Sequence, residues 1–241
     1  MVQAIVRSIR CELRHAVTTA VNDDIASAHA NKGKTYSDFL DNWGAQLLLT
    51  LTVVEKSTLS PSVNLMPPSP ASSVLNVAAG GSLSSQATRT EKMNFFYTVK
   101  ELYLRKGEEC DASGEERQGS LLVKNDLKIA SILTSRINTV ALGQARAPAA
   151  GKPNVLSHQI TFQIVSSGNI TPSWRLVRAT INPSGSLFNT SRDRTQDLVI
   201  TFGPLDKAQG GKSLIAIAEQ AHFASQLASG VSSGFKAALP Q

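Results

Sequence analysis

The sequence predicts an α+β fold: internal duplication of a helix plus a three-stranded antiparallel β-meander, closed by a C-terminal helix. Three observations predict it. Apolar residues near the start recur at three- and four-residue spacing, the mark of an amphipathic helix. From Leu47 apolar residues alternate with polar ones, the mark of a half-buried strand. The segment around that strand then returns in the second half of the chain with its turn proline in place.

Ile5, Ile9, Leu13, Ala16, Val17 and Ala20 line one face of a helix expected over residues 3–30, and Asn31, Lys32 and Gly33 end it. Leu47, Leu49, Leu51 and Val53 form one face of the first strand, Thr50 and Thr52 the other. A Pro/Ser-rich stretch over 57–79 holds a short second strand at 63–66 and an exposed loop. Phe95, Tyr97 and Val99 alternate in a third strand. Residues 105–119 are charged and read as surface loop, 121–142 as a second helix, and 143–154 as a linker. Ile160, Phe162 and Ile164 then restart the strand pattern. A Gly168-Asn169 turn, a strand over 174–181, a Pro183/Gly185 turn and a strand with Leu198, Ile200 and Phe202 follow. A last helix over 213–238 closes the chain.

Residues 49–65 align without gaps on residues 160–176. Thr50, Val54, Pro61, Ser62 and Leu65 recur as Thr161, Val165, Pro172, Ser173 and Leu176. A proline at one fixed place fixes φ and marks a strand edge. Arg89-Thr90 and Arg194-Thr195 stand ahead of the third strand of each half. The expected division is residues 1–119 and residues 120–241, one helix–meander repeat in each, the second carrying the C-terminal helix. A one-sided meander needs its apolar face covered by a helix or by the sister unit.

Composition narrows the function. Of 241 residues 41% are apolar and only 17% charged, a balance that suits β-rich extracytoplasmic or assembled proteins. The net charge of +6 would favour a polyanion, but the basic residues are scattered and no aromatic-basic platform for stacking bases is present. No nucleic-acid partner is expected. No apolar run approaches the roughly 18 residues of a membrane span. The N-terminal residues alternate charge with apolar positions, unlike a signal peptide.

The two cysteines are Cys11, in the first helix, and Cys110, in the acidic run Glu108-Glu109-Cys110-Asp111. Acidic neighbours raise a thiol's pKa and argue against a nucleophile. The sharper reading is a disulfide tying the loop to the first helix, which implies an oxidising compartment; the alternative is two free thiols. With no neighbouring histidine pair, no metal site is expected.

Several motifs tempt and fail. Gly210-Gly211-Lys212-Ser213 resembles a phosphate loop, but the glycine that loop needs is replaced by Asp206, and Ser213 is explained as a helix N-cap. Gly230-Val231-Ser232-Ser233-Gly234 matches a nucleophile elbow but falls inside the last helix, with no acid or histidine after it. The four histidines are isolated, and Asp23-Asp24 reads as a solvated pair. Asn169-Ile170-Thr171 and Asn189-Thr190-Ser191 are glycosylation sequons, meaningful only in a eukaryotic secretory context. In the last helix Ala221, Ser225 and Ser229 fall four apart, as do Ala224, Ala228 and Ser232, small residues that let another helix approach closely. That packing is expected inside the chain or, as the alternative, between subunits; for the latter Ala221, Ser225 and Ser229, together with Trp174, are the candidate interaction residues. No catalytic residue and no cofactor is expected.

Ile9-Arg10-Cys11-Glu12-Leu13, Trp43, the Leu-Thr-Leu-Thr of 49–52 and Ser60-Pro61 form one set of recognisable segments. Ser157-His158, the Ser-Gly-Asn-Ile-Thr-Pro-Ser-Trp of 167–174 and Arg192-Asp193-Arg194-Thr195 form another. Together they resemble an uncharacterised family of α-proteobacterial, rhizobial-type cell-envelope proteins, many with a lipoprotein signal upstream of the Cys-Glu-Leu helix. The meander is distantly similar to bacterial trypsin-co-occurring domains. The first resemblance implies a periplasmic or envelope protein whose lipid anchor is lost with its export signal, and it fits a Cys11–Cys110 bridge. It imports no catalytic residue, and this chain departs from the family in lacking a signal.

The leading expectation is thus a non-enzymatic periplasmic protein that binds or scaffolds other proteins, as an accessory subunit of a larger assembly, with a protein partner or a homo-oligomer. One alternative is a cytoplasmic bacterial-conflict module beside a protease or effector. Another is an enzyme using Arg89, Arg194 and His158 in a cleft between the repeats.

Overall fold

In the computed structural model the described residues are 2–30, 33–69, 75–104, 110, 127–145, 154–183 and 185–238. Among them run helices α1 (Val2–Ala30), α2 (Val99–Leu104), α3 (Ile129–Ala141) and α4 (Ala216–Ala238). The first half supplies strands β1 (Trp43–Leu59), β2 (Ser62–Leu65), β3 (Val77–Gly80) and β4 (Leu83–Thr98). The second supplies β5 (Leu156–Ile170), β6 (Trp174–Arg175), β7 (Ala179–Ile181) and β8 (Phe188–Pro204). The long strands pair in the order β4-β1-β8-β5 and the short ones in the order β3-β2-β7-β6, both sheets antiparallel. The fold is α+β with a C-terminal helix, as the sequence predicts.

Both sheets place the halves side by side in the same sense. Each half sends its first and last strands to the long sheet and its middle two to the short sheet, so β4-β1 is followed by β8-β5, and β3-β2 by β7-β6. Among the described residues each half therefore has four strands where periodicity suggested three. The fourth arises twice over. β3 lies in the Pro/Ser-rich stretch expected to be loop, where Val77 and Ala79 pair with Leu65 and Val63. The expected strand over 174–181 is two strands, because the chain turns back at 176–178 and Trp174 pairs with Ile181.

Other boundaries shift for local reasons. β4 starts at Leu83, so Arg89-Thr90 lies inside it, and Arg194-Thr195 likewise lies inside β8. Val99 opens α2 instead of ending a strand, with the Thr98 hydroxyl accepting from the Glu101 N–H at 3.1 Å. Gly168-Asn169 continues β5 and makes no turn. The start of the expected second helix, at 121–126, lies outside the described residues, as do the 105–119 loop except Cys110 and most of the linker. Ser213 is not the cap of α4: Leu205 and Leu214 form a β-bridge that keeps the chain extended there, and the helix begins only at Ala216.

By its contacts the chain divides into two compact units, each built from segments of both halves. Unit 1 comprises residues 1–49, 93–160 and 198–241. Its helices bury a regular face: Ile5, Ile9, Leu13, Ala16, Val17 and Ala20 on α1, and Ile129, Leu133, Ile137 and Val140 on α3, the two helices packing together. Each large apolar side chain so buried contributes about 1.5–3 kcal/mol. Leu47, Leu49, Ile200 and Phe202 supply the sheet side of this core. Asp24 is buried, not solvated as its sequence suggested: its carboxylate accepts from the Tyr36 and Ser37 N–H groups, both at 2.8 Å. The sulfurs of Cys11 and Cys110 lie at disulfide distance, with 5.5 Å between the Cα atoms.

Unit 2 comprises residues 50–92 and 161–197 and holds the whole short sheet with the adjoining stretches of the long strands. In it Leu51 alone among the described residues is a buried hydrophobic. Two sheets with so little interior leave much apolar surface in solvent.

In unit 1, α4 lies unusually close to β8 at one point. A Cβ on Gly203 would stand 2.7 Å from the Ala218 Cβ. Gly203→Ala should therefore destabilise the protein by about 1–3 kcal/mol through overpacking. Adding Ala218→Gly should restore part of that loss in chemical denaturation. A single variant as stable as the parent would contradict the close approach.

Candidate interaction surface

The short sheet is amphipathic across its strands. Register sets Leu65 opposite Val77 and Ala179, Val63 opposite Ala79 and Ile181, and Trp174 opposite Ile181. Opposed residues project to one side of a sheet and neighbours along a strand to the other. One face therefore carries Val63, Leu65, Val77, Ala79, Trp174, Ala179 and Ile181, while Asn64, Arg175 and Thr180 lie on the reverse. Leu65, Val77, Ile181 and Trp174 are each between 42% and 52% exposed, and Val177 in the β6–β7 turn is 98% exposed. Open apolar faces of this kind, with no charge in them, are common at interaction sites of proteins in general.

A residue the sequence reading passed over holds this sheet in shape. Asn182, at the end of β7, is 1% exposed and adopts φ 52, a left-handed conformation that asparagine tolerates better than most residues. Its N–H donates to the Ser62 carbonyl at 2.7 Å, and its Nδ2 donates to the Pro172 carbonyl at 2.7 Å. One residue, through its backbone and its side chain, thus ties β2, β7 and the turn before β6 together. The Asn-Pro-Ser-Gly of 182–185 was the available signal, read only as a turn.

Trp174 lies on this exposed face, while Ala221, Ser225 and Ser229 lie elsewhere, on α4 in unit 1. Ser229 is buried, and Ser225 is engaged within unit 1: its hydroxyl reaches the Ala221 carbonyl at 2.9 Å and the Ser157 hydroxyl at 3.2 Å. Ser157 meets Thr201 at 2.9 Å, and the Thr201 hydroxyl meets His222 Nδ1 at 2.8 Å. A polar chain therefore runs Ser225–Ser157–Thr201–His222 between α4 and strands β5 and β8. His222 is 1% exposed, and its Nε2 has no hydrogen-bond partner among the described residues. Burial pushes the His222 imidazole below the ordinary histidine range, so it is neutral at pH 7.

Other sequence candidates are placed as follows. Lys212 and Ser213 follow two left-handed glycines, and Asp206 caps a short 3-10 turn by accepting from the Ala208 N–H at 2.8 Å. Ser213 reaches Gln209 at 3.2 Å. The 230–234 serine motif is helical. His158 contacts the Leu127 carbonyl at 3.1 Å in unit 1, whereas Arg89 and Arg194 belong to unit 2, on strands with β1 between them in the sheet order. A shallow groove in unit 2 is lined by Lys56, Thr58, Ser60, Ser186, Asn189 and Ser191, four hydroxyls, one amide and one cation without a carboxylate. Among the described residues no group of three or more His, Cys, Asp or Glu gathers, and no helix is long and apolar enough to cross a membrane.

No family model matches the chain, and no curated protein does. Among solved structures, the injectisome secretin InvG of Salmonella (residues 176 to the end, open gate) is similar at 11% identity and a TM-score of 0.14. The match covers 66% of this chain and 58% of the secretin chain. A likeness at that level carries no argument about fold or function.

His222 makes a pH-dependent contribution to stability whose sign is fixed. The unfolded histidine binds a proton near pH 6.5 and the buried one only at lower pH, so on acidification the unfolded state takes up protons first. Stability should fall as pH drops below about 6.5, and His222→Gln should flatten that part of the curve. Equal slopes for parent and variant, from denaturant midpoints across pH 5 to 8, would show that the imidazole is not buried neutral.

Proposed function

We propose that this chain is a non-enzymatic cell-envelope protein that binds another protein through the apolar face of its short sheet. The observation that carries the reading is the exposed, uncharged row of Leu65, Val77, Ile181 and Trp174 in a unit with almost no interior of its own. Exposing such a face costs solubility, and covering it with a complementary protein surface gains about 25 cal/mol for each Å² removed from water. Aromatic residues such as Trp174 are the usual anchors of such contacts.

The envelope location draws on the Cys11 and Cys110 sulfurs at disulfide distance and on the sequence resemblance to envelope proteins. A bridge closing so long a loop contributes about 4–5 kcal/mol in the chain-entropy picture and persists where the surroundings are oxidising. The low content of charged residues is in keeping with that setting.

A photo-crosslinking residue in place of Trp174, expressed in the native host, should capture one identifiable protein. The same residue in place of Thr180, on the reverse face, should not. Capture from both faces alike, or from neither, would sink the reading. The location is checked separately: native protein alkylated without reduction should keep its mass, and a gain of two alkyl groups would remove the oxidising compartment.

A further inference from the structure

We propose that the chain assembles with copies of itself, head to tail, by pairing the β5 edge of one copy with the β4 edge of the next. The inference lies beyond the docking reading above and rests on the backbone edges of the strands, not on the apolar side chains of that face.

The ground for it is the strand order. In the long sheet the two half-chains are joined where β1 meets β8, and the sequence correspondence makes β5 the counterpart of β1 and β4 the counterpart of β8. Among the described residues the sheet ends on β5 at one side and on β4 at the other. Its two free edges are therefore the counterparts of the two strands already paired at its centre. A second copy placed as the second half is placed against the first would repeat the internal junction. The short sheet repeats the logic: β2 pairs with β7, and the free edges are β6, the counterpart of β2, and β3, the counterpart of β7. One step extends both sheets at once.

Direction and register agree. Within unit 2 the Ser60 N–H donates to the Leu187 carbonyl at 2.8 Å, and Arg192 pairs with Glu55 at 3.1 Å, so β1 and β8 run antiparallel with Glu55 opposite Arg192. β4 is antiparallel to β1 and β5 to β8, so β5 of one copy would also meet β4 of the next antiparallel. Carrying Glu55 onto β5 by the Thr50/Thr161 match gives Ser166. Carrying Arg192 onto β4 by the Arg89/Arg194 match gives Ala87. Ser166 and Ala87 are then the facing residues of the intermolecular junction.

The edges are open to this. Residues 83–92 of β4 are all exposed, and so are residues 165–170 of β5. Proteins block free edges with proline, inward charges or short strands. Residues 161–170 contain neither a proline nor a charge; residues 83–92 contain no proline and keep their charges, Arg89, Glu91 and Lys92, at one end, leaving 83–88 uncharged. Leu83, Val165 and Ile170 stand exposed along the two strands. A head-to-tail contact does not close on two copies; it continues into a ring or a filament.

The test uses the full chain with Ala87→Cys and Ser166→Cys together and each alone. Mild oxidation should give the double variant a non-reducing ladder of dimer, trimer and higher species, while each single variant reaches dimer at most. In native mass spectrometry the parent should show multiples above two chain masses as concentration rises, and Val165→Lys should lose them without a change in circular dichroism. A parent monomeric at every concentration, assembly that stops at dimer, or assembly without the ladder would overturn the proposal. Trp174→Ser should leave the ladder intact, which separates this contact from the docking face.

Discussion

The pairing of β1 with β8 is the interaction on which the rest of this structure depends. Each half-chain makes a hairpin of its own long strands, and a two-stranded hairpin is marginal in water. Joined through β1 and β8, the two hairpins become a four-stranded sheet, β4-β1-β8-β5. The same junction is mirrored in the short sheet by β2 and β7, where Val63 opposes Ile181 and Leu65 opposes Ala179. Because both halves face the same way, each joined sheet ends on unlike strands, and an apolar face and two edges in each sheet remain.

The two units differ in what covers them. In unit 1 helices do the work. α1 and α3 bury regular apolar rows, and α4 presses small residues on β8, closely enough that Gly203 and Ala218 leave no room for a further methyl. The polar chain through Thr201 and His222 is the cost of that close packing: α4 carries a histidine into the interior, and one ring nitrogen stays without a partner among the described residues. Among its described residues unit 2 has no helix, and its shape rests on strand pairing and on Asn182. Its apolar side chains therefore face water, and function is read from that surplus.

Much of the fold was legible in the sequence, and the reasons are local. α1 spans the residues its three-and-four spacing marks, because every turn of that spacing is buried. The returning Pro61 and Pro172 marked the same corner in both halves before their partner strands were visible. β3 was not legible: Val77 to Gly80 lack both alternation and bulk, and only pairing with β2 makes them a strand. The break between β6 and β7 was hidden because its turn at 176–178 is Leu-Val-Arg, with no glycine, proline or asparagine to mark it. Trp174 was named as a candidate interaction residue, but the row it belongs to depends on cross-strand register, which no single segment encodes. Asp24 and His222 were misjudged or passed over for a like reason, since their partners lie 12 and 21 residues away or further.

The register of β1 against β8 is tested most directly by an engineered cross-link inside one chain. Glu55 and Arg192 are opposed at a place where antiparallel strands leave about 4.5 Å between Cα atoms, within reach of a disulfide. Glu55→Cys with Arg192→Cys should oxidise to an intramolecular bridge in the folded monomer, while Glu55→Cys with Ser191→Cys, one residue out of register, should not. Failure of the first pair, or equal bridging by both, would contradict the junction that holds the two halves together.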